Sequence, residues 1–195
     1  SISANGGVGG TTDNKNGGAG TIYYYDRSLG KSELIIKNNG ISDGYTYSMV
    51  GETITVDSLE LSTGGDLTVT SGARITTNQT SPLIFNSKLT INNGGEFRAP
   101  SVSSISGTGG VITLQSGGTI DLSSLTTLSN ITVYNYGQMS LPSFTSMSNL
   151  IFENHGIYNH SSDTLNITNN STWIENGILA TIGDSQIVTD ITLTG

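Results

Sequence analysis

LTINNGGEFRAPSVSSIS, residues 89–106, holds both halves of the pattern that decides the fold. Its first nine residues, Leu89 to Phe97, read apolar-x-apolar-x-x-x-Gly-x-apolar. The same phrase starts at Leu59 (LELSTGGDL), Leu67 (LTVTSGARI), Ile112 (ITLQSGGTI), Ile131 (ITVYNYGQM), Leu150 (LIFENHGIY) and Leu165 (LNITNNSTW). The seventh position is Gly65, Ala73, Gly95, Gly118, Gly137, Gly156 or Ser171, always a small residue. Alternating apolar residues followed by turn formers read as a short strand, a tight turn and the start of another strand. Such a phrase, repeated with no helical period between copies, points to a β-solenoid, whose coils bury their apolar faces by stacking.

The second half of the opening stretch supplies the rest of a coil. FRAPSVSSIS from Phe97 aligns without a gap with IDLSSLTTLS from Ile120 and MSLPSFTSMS from Met139. Val102, Leu125 and Phe144 then share one column, and Ile105, Leu128 and Met147 share another. Successive phrases are spaced 22 residues apart from Leu67 to Leu89, 23 to Ile112, 19 to Ile131 and 19 to Leu150. Strands rise roughly 3.3 Å per residue, so about twenty residues with three turns close one triangular circuit. The expected fold is all-β, a right-handed parallel β-helix with three short strands per coil of 19–23 residues. Residues 59–195 form its regular coils, and residues 1–58, glycine-rich and without the strict phrase, form looser coils of the same solenoid.

Two details of the repeat lead to further expectations. The fifth position carries Asn93, Asn135, Asn154 and Asn169, with Ser71 and Ser116 in other copies. These residues either stack as an inward asparagine ladder or serve as ordinary turn formers. The step from Leu150 to Leu165 is only 15 residues, which predicts a shortened coil or a missing third side near Asp163. Beyond Trp173 the alternation still permits strands.

Composition narrows the class. Glycine is 26 of 195 residues and charged residues are only 11%, a mixture that would suggest disorder were Leu, Ile and Val not regularly spaced. The net charge of −8, from 15 acidic and 7 basic residues, argues against nucleic acid and anionic membrane surfaces as partners. With no cysteine, neither a disulfide framework nor a thiolate metal site can form. No segment has the length and apolarity of a membrane span, and no signal peptide opens the chain. The opening SISANGGVGG reads as the middle of a repeat, so a fragment of a longer polypeptide with further domains is expected.

ISANGG at Ile2, GGAGTIYYYD at Gly17 and LIIKNNG at Leu34 together resemble the repeats of very large glycine-rich β-helical surface proteins and adhesins of bacteria. The phrases from Leu59 onward are similar to pectate-lyase-like right-handed parallel β-helices. The resemblance implies secretion to the bacterial surface, an elongated shape and a role in attachment or spacing, with no catalytic residues and no cofactor.

Pectin-acting enzymes are the enzymatic rival. Glycoside hydrolysis needs two carboxylates held close together, yet Glu60, Asp66, Glu96, Asp121 and Glu153 are scattered over the alignment. Asn154-His155-Gly156 is superficially similar to the histidine motif of polygalacturonases, without the paired aspartates that should accompany it. His155 and His160 with Glu153 or Asp163 make only a weak metal signature, and no metal site is expected. Thr126 and Thr127 over Thr145 and Ser146 form too short and mixed an array to order water. Aromatic residues carry more. Tyr134 and Tyr136 replace polar or glycine residues and His155 takes a turn position, so all three should face solvent, whereas Tyr158 and Trp173 should be core. Tyr24, within the run Tyr23–Tyr25, and Tyr45 with Tyr47 on one strand face, complete the candidate ligand-binding set. The reading is a non-catalytic structural or adhesive module of a large secreted surface protein, with a glycan or host-surface ligand. The alternative is a carbohydrate-acting or receptor-binding β-helix such as a phage tail fibre, tailspike or polysaccharide-lyase-like domain.

Overall fold

The computed structural model describes residues 20–38, 47–160, 164–168, 171–176, 178–181 and 186–189. Among these residues there is no helix, and parallel strands stack into a β-solenoid of about six turns. Three faces close each turn. Face A holds β3 (Tyr47–Val50), β6 (Leu67–Thr70), β9 (Lys88–Ile91), the second halves of β11 (Ser104–Leu114) and β13 (Thr127–Asn135), then β16 (Ile151–Asn154) and β19 (Thr172–Glu175). Face B holds β4 (Thr53–Val56), β7 (Arg74–Thr77), β10 (Glu96–Arg98) and β12 (Thr119–Asp121), followed by β14 (Gln138–Leu141), β17 (Ile157–His160) and β20 (Ile178–Thr181). Face C holds β2 (Lys31–Lys37), β5 (Ser58–Leu61), β8 (Leu83–Ile84), the first halves of β11 and β13, β15 (Ser146–Ser148), β18 (Thr164–Thr168) and β21 (Gln186–Thr189). The remaining strand, β1 (Gly20–Asp26), pairs antiparallel with β2 through a turn at Gly30.

Like residues lie over like, as the phrase alignment requires. On face A the inward column runs Leu67, Leu89, Ile112, Val133, Phe152, Trp173. On face B it runs Ile75, Phe97, Ile120, and then Met139, Tyr158. On face C, Leu83, Ile105, Leu128 and Met147 stack, with Val102, Leu125 and Phe144 buried at the corner before them. Each fully buried large apolar side chain stabilises by roughly 1.5 to 3 kcal/mol. A single coil has no second layer to bury it against, so only stacking realises that energy. Trp173 is core, as expected. It lies over Phe152 (centroids 4.5 Å apart, 16° between planes) and edge-on to Tyr158 at 5.1 Å.

Two different constraints explain the small residues of the first turn. Gly94, at the sixth position, has φ of +73°, a left-handed conformation that a Cβ disfavours. Gly95, at the seventh, is confined by its neighbour: an added Cβ would lie 2.6 Å from the carbonyl carbon of Val69 in the preceding coil, and closer still to its oxygen.

The register corrects two sequence expectations. Ile112 lies opposite Val133, 21 positions on, and Leu114 lies opposite Asn135. The copy at Ile131 is therefore slid two residues against the phrase alignment. The turn after the inward pair contracts from four residues (115–118) to two (Tyr136 and Gly137), which carries the asparagine from the turn into the core column. Asn135 and Asn154 are fully buried in the column that earlier coils fill with Val69, Ile91 and Leu114. Asn135 Nδ2 donates to Asn154 Oδ1 (2.6 Å) and to Ile157 O (3.0 Å), and its Oδ1 accepts from Gly137 N (3.2 Å). The inward ladder is thus these two residues, while Asn93, Ser71 and Ser116 sit exposed in the longer turns. Asn169 lies outside the described residues. A separate exposed pair, Asn130 and Asn149, occupies left-handed backbone at the corner from face C to face A, bonded Nδ2 to Oδ1 at 3.2 Å.

No shortened coil follows Leu150. Ile151 pairs with Thr172, 21 positions on, and β17 pairs with β20. The phrase at Leu165 lies on face C, one corner earlier than the phrase at Leu150, and this alone produces the short spacing. Asp163 lies outside the described residues.

Candidate aromatic patch and groove

Three of the sequence-selected residues meet on the outside of face A. Tyr134 and Tyr136, two apart on β13 and the turn after it, point the same way. Their rings lie 6.4 Å apart and 17° from parallel. His155, in the turn of the next coil, stacks on Tyr136 at 4.9 Å and 13°. Glu153 faces Tyr134 across the coils and hydrogen-bonds His155 Nε2, completing a two-by-two patch. Tyr136 is 40% exposed, His155 is exposed, and Tyr134 is half-buried against its neighbours. The ring spacing of Tyr136 and His155 matches the ladder spacing of about 4.8 Å, so the rings stand upright and stack along the solenoid axis.

Beside this patch the sheet of face B is interrupted. β10 pairs with β12, and β14 with β17, but among the described residues no ladder joins β12 to β14. The break lies directly after the contracted turn, the corner that has two fewer residues than its counterpart one coil earlier. Cross-coil bonds resume past the break, where Ser143 Oγ donates to Ser123 O and Thr145 N to Thr126 O. The break opens a groove with Thr119 and Ile120 on one side, Gln138 and Ser140 on the other, and Tyr136 and Gly117 at its face A end.

The other candidates lie elsewhere. Tyr24 is exposed on β1, as are Tyr23 and Tyr25, and it borders a separate hollow with Asp26, Lys31, Asp57 and Gln79. Asp57 accepts from Ser32 N (2.8 Å) and Oγ (3.1 Å), and those two bonds, the main-chain one foremost, hold its carboxyl below the usual carboxylate range. Tyr45 lies outside the described residues. Tyr47 opens β3 opposite Leu67, and its side chain lies outside the description, as does that of His160. Gln138 and Thr119 were not singled out by the sequence. Their signal is the two-residue contraction, which becomes visible only when Asn135 is aligned with Leu114.

The acidic residues Glu60, Asp66, Glu96, Asp121 and Glu153 of the regular coils each have a local partner. Glu60 accepts from Ser62, Asp66 from Ser87 Oγ (2.7 Å), and Glu153 bonds His155. Glu96 pairs with Arg74, and Asp121 with Arg98 at 3.0 Å, forming an alternating ladder outside face B. Thr126 and Thr145 bond their hydroxyls to Ser103 O (2.9 Å) and Thr126 O (3.3 Å), so this array serves coil-to-coil cohesion.

Fold and site together define a parallel β-solenoid with an external aromatic patch and an adjoining break in one sheet. Compared with known proteins, the chain matches no family model, and no curated protein or solved structure is significantly similar to it.

Proposed function

We propose that the chain is a non-catalytic adhesive or structural module of a large secreted bacterial surface protein, and that it holds a glycan on the aromatic patch. The observation that carries this reading is the convergence of Tyr134, Tyr136 and His155 into one stacked strip. In the row of Tyr134, the earlier coils carry Thr113, Thr90 and Thr68. Stacked rings outside a scaffold contribute nothing to its core, whereas aromatic surfaces suit the apolar faces of sugar rings. The low charge, the absence of cysteine and the glycine-rich, Ser/Thr/Asn-rich composition support a surface setting. The non-catalytic part is supported by the carboxylates: Glu153 is the only one among the described residues of the patch, and His155 engages it.

A glycan array tests the reading. Wild-type protein should retain at least one glycan, and the double variant Tyr134→Ala, Tyr136→Ala should lose it while keeping the wild-type circular dichroism spectrum. Cleavage of any bound polysaccharide by purified protein would defeat the non-catalytic half.

A further inference from the structure

Resting on the glycan reading above, we propose that the break between β12 and β14 is its principal subsite, and that it takes a neutral pyranose ring stacked on Tyr136. His155, one coil on, covers the face of the Tyr136 ring toward the following coil. The opposite face looks toward the preceding coil, where the register sets Gln115 opposite Tyr136 and Gly117 and Gly118 add no side chains to the groove beside it. A sugar ring placed over those glycines lies beside Gln115 and against that face of Tyr136.

The groove also supplies the polar half of such a site. Thr119 and Gln138 are exposed at its two sides, offering a hydroxyl and an amide that both donate and accept. Because no ladder joins β12 to β14, the main-chain groups that would have bonded across the gap face the groove instead. A polyol, with a donor and an acceptor on every hydroxyl, matches that mixed lining.

Charge selects the class of sugar. None of the residues lining the groove carries a charge, and the chain has a net charge of −8, so uronic or sialic acid units would find no cation there and a repulsive field around it. A peptide strand does not fit as the occupant. Cα atoms of β12 and β14 approach within 8 Å, whereas a strand inserted between them needs two ladder spacings, about 9.5 Å.

The test measures binding of wild type, Tyr134→Ala, Gln138→Ala and Gln138→Trp to an immobilised panel of neutral and acidic glycans, alongside unstructured peptides. Gln138 is exposed, so its variants keep the fold. Gln138→Ala should weaken a neutral glycan about tenfold, as loss of one buried-on-binding hydrogen bond does. Gln138→Trp, which fills the groove, should abolish binding. If a neutral glycan binds and is lost in Tyr134→Ala but not in either Gln138 variant, the groove is refuted while the patch reading stands. Binding confined to acidic glycans overturns the neutral class, and binding confined to peptides overturns the occupant. Absence of any glycan binding defeats both readings together.

Discussion

Gly72 and Gly95 occupy neighbouring positions of the same turn in successive coils, yet alanine should cost different amounts at the two. At Gly72 φ is +80° and nothing lies within 4 Å of the added Cβ, so the penalty is purely conformational. Left-handed backbone costs an L-residue roughly 1–2 kcal/mol, and alanine recovers about 0.4–1 kcal/mol by restricting the unfolded chain. The net loss at Gly72 is about 1 kcal/mol. At Gly95 the added Cβ would meet Val69 C at 2.6 Å and Thr70 N at 3.0 Å, both main-chain atoms that no rotamer change can move. Val69 O also accepts the cross-coil bond from Asn92 N at 2.9 Å. Retreat of that carbonyl sacrifices a bond worth about 1 kcal/mol on top of an overpacking cost of roughly 1–3 kcal/mol. After the same recovery of about 0.4–1 kcal/mol from the unfolded chain, Gly95→Ala should destabilise by about 2 kcal/mol. The constraint belongs to the coil beneath and not to the turn, since Ala73 fills the corresponding position one coil earlier. Urea denaturation of both variants followed by circular dichroism measures the difference. Equal losses, or a larger loss at Gly72, would refute the account of the seventh position as a site of close coil-to-coil approach.

Two further outcomes follow from the polar elements. Asn135→Ala removes three hydrogen bonds from a buried corner and should cost about 3 kcal/mol, at about 1 kcal/mol each. Asn135→Leu, although it restores the aliphatic column, should also destabilise because Gly137 N and Ile157 O lose the same partner; a Leu variant as stable as wild type in urea would contradict this. Asp57 has a folded-state pKa below its unfolded value, so the stability it contributes is present above the unfolded pKa and is lost as pH falls through the folded one. Asp57→Asn should thus narrow the gap in denaturation midpoint between neutral and acidic solution, and an unchanged gap would show that the Ser32 bonds do not couple to folding.

The architecture was legible in the sequence because its determinants are local. A period of two in Leu89, Thr90 and Ile91, turn formers at Asn93 and Gly94, and a small residue at Gly95 specify strand, turn and strand within nine residues, and repetition specifies stacking. Core membership of Phe144, Tyr158 and Trp173 followed from the same pattern. The outward set Tyr134, Tyr136 and His155 was legible as well, because each breaks the polar or glycine rule of its position.

Register was not legible, and it decides both the asparagine core and the groove. Matching phrases placed Ile131 over Ile112, whereas the coils set Val133 there and Phe152 over it. The turn then loses two residues, Asn135 moves inside, and directly after that corner the ladder between β12 and β14 is missing. A phrase read along the chain determines which residues alternate and where they turn. Only the packing of one coil on another decides how far the next coil slides, since that choice is made by side chains some twenty residues apart and by the hydrogen bonds between them.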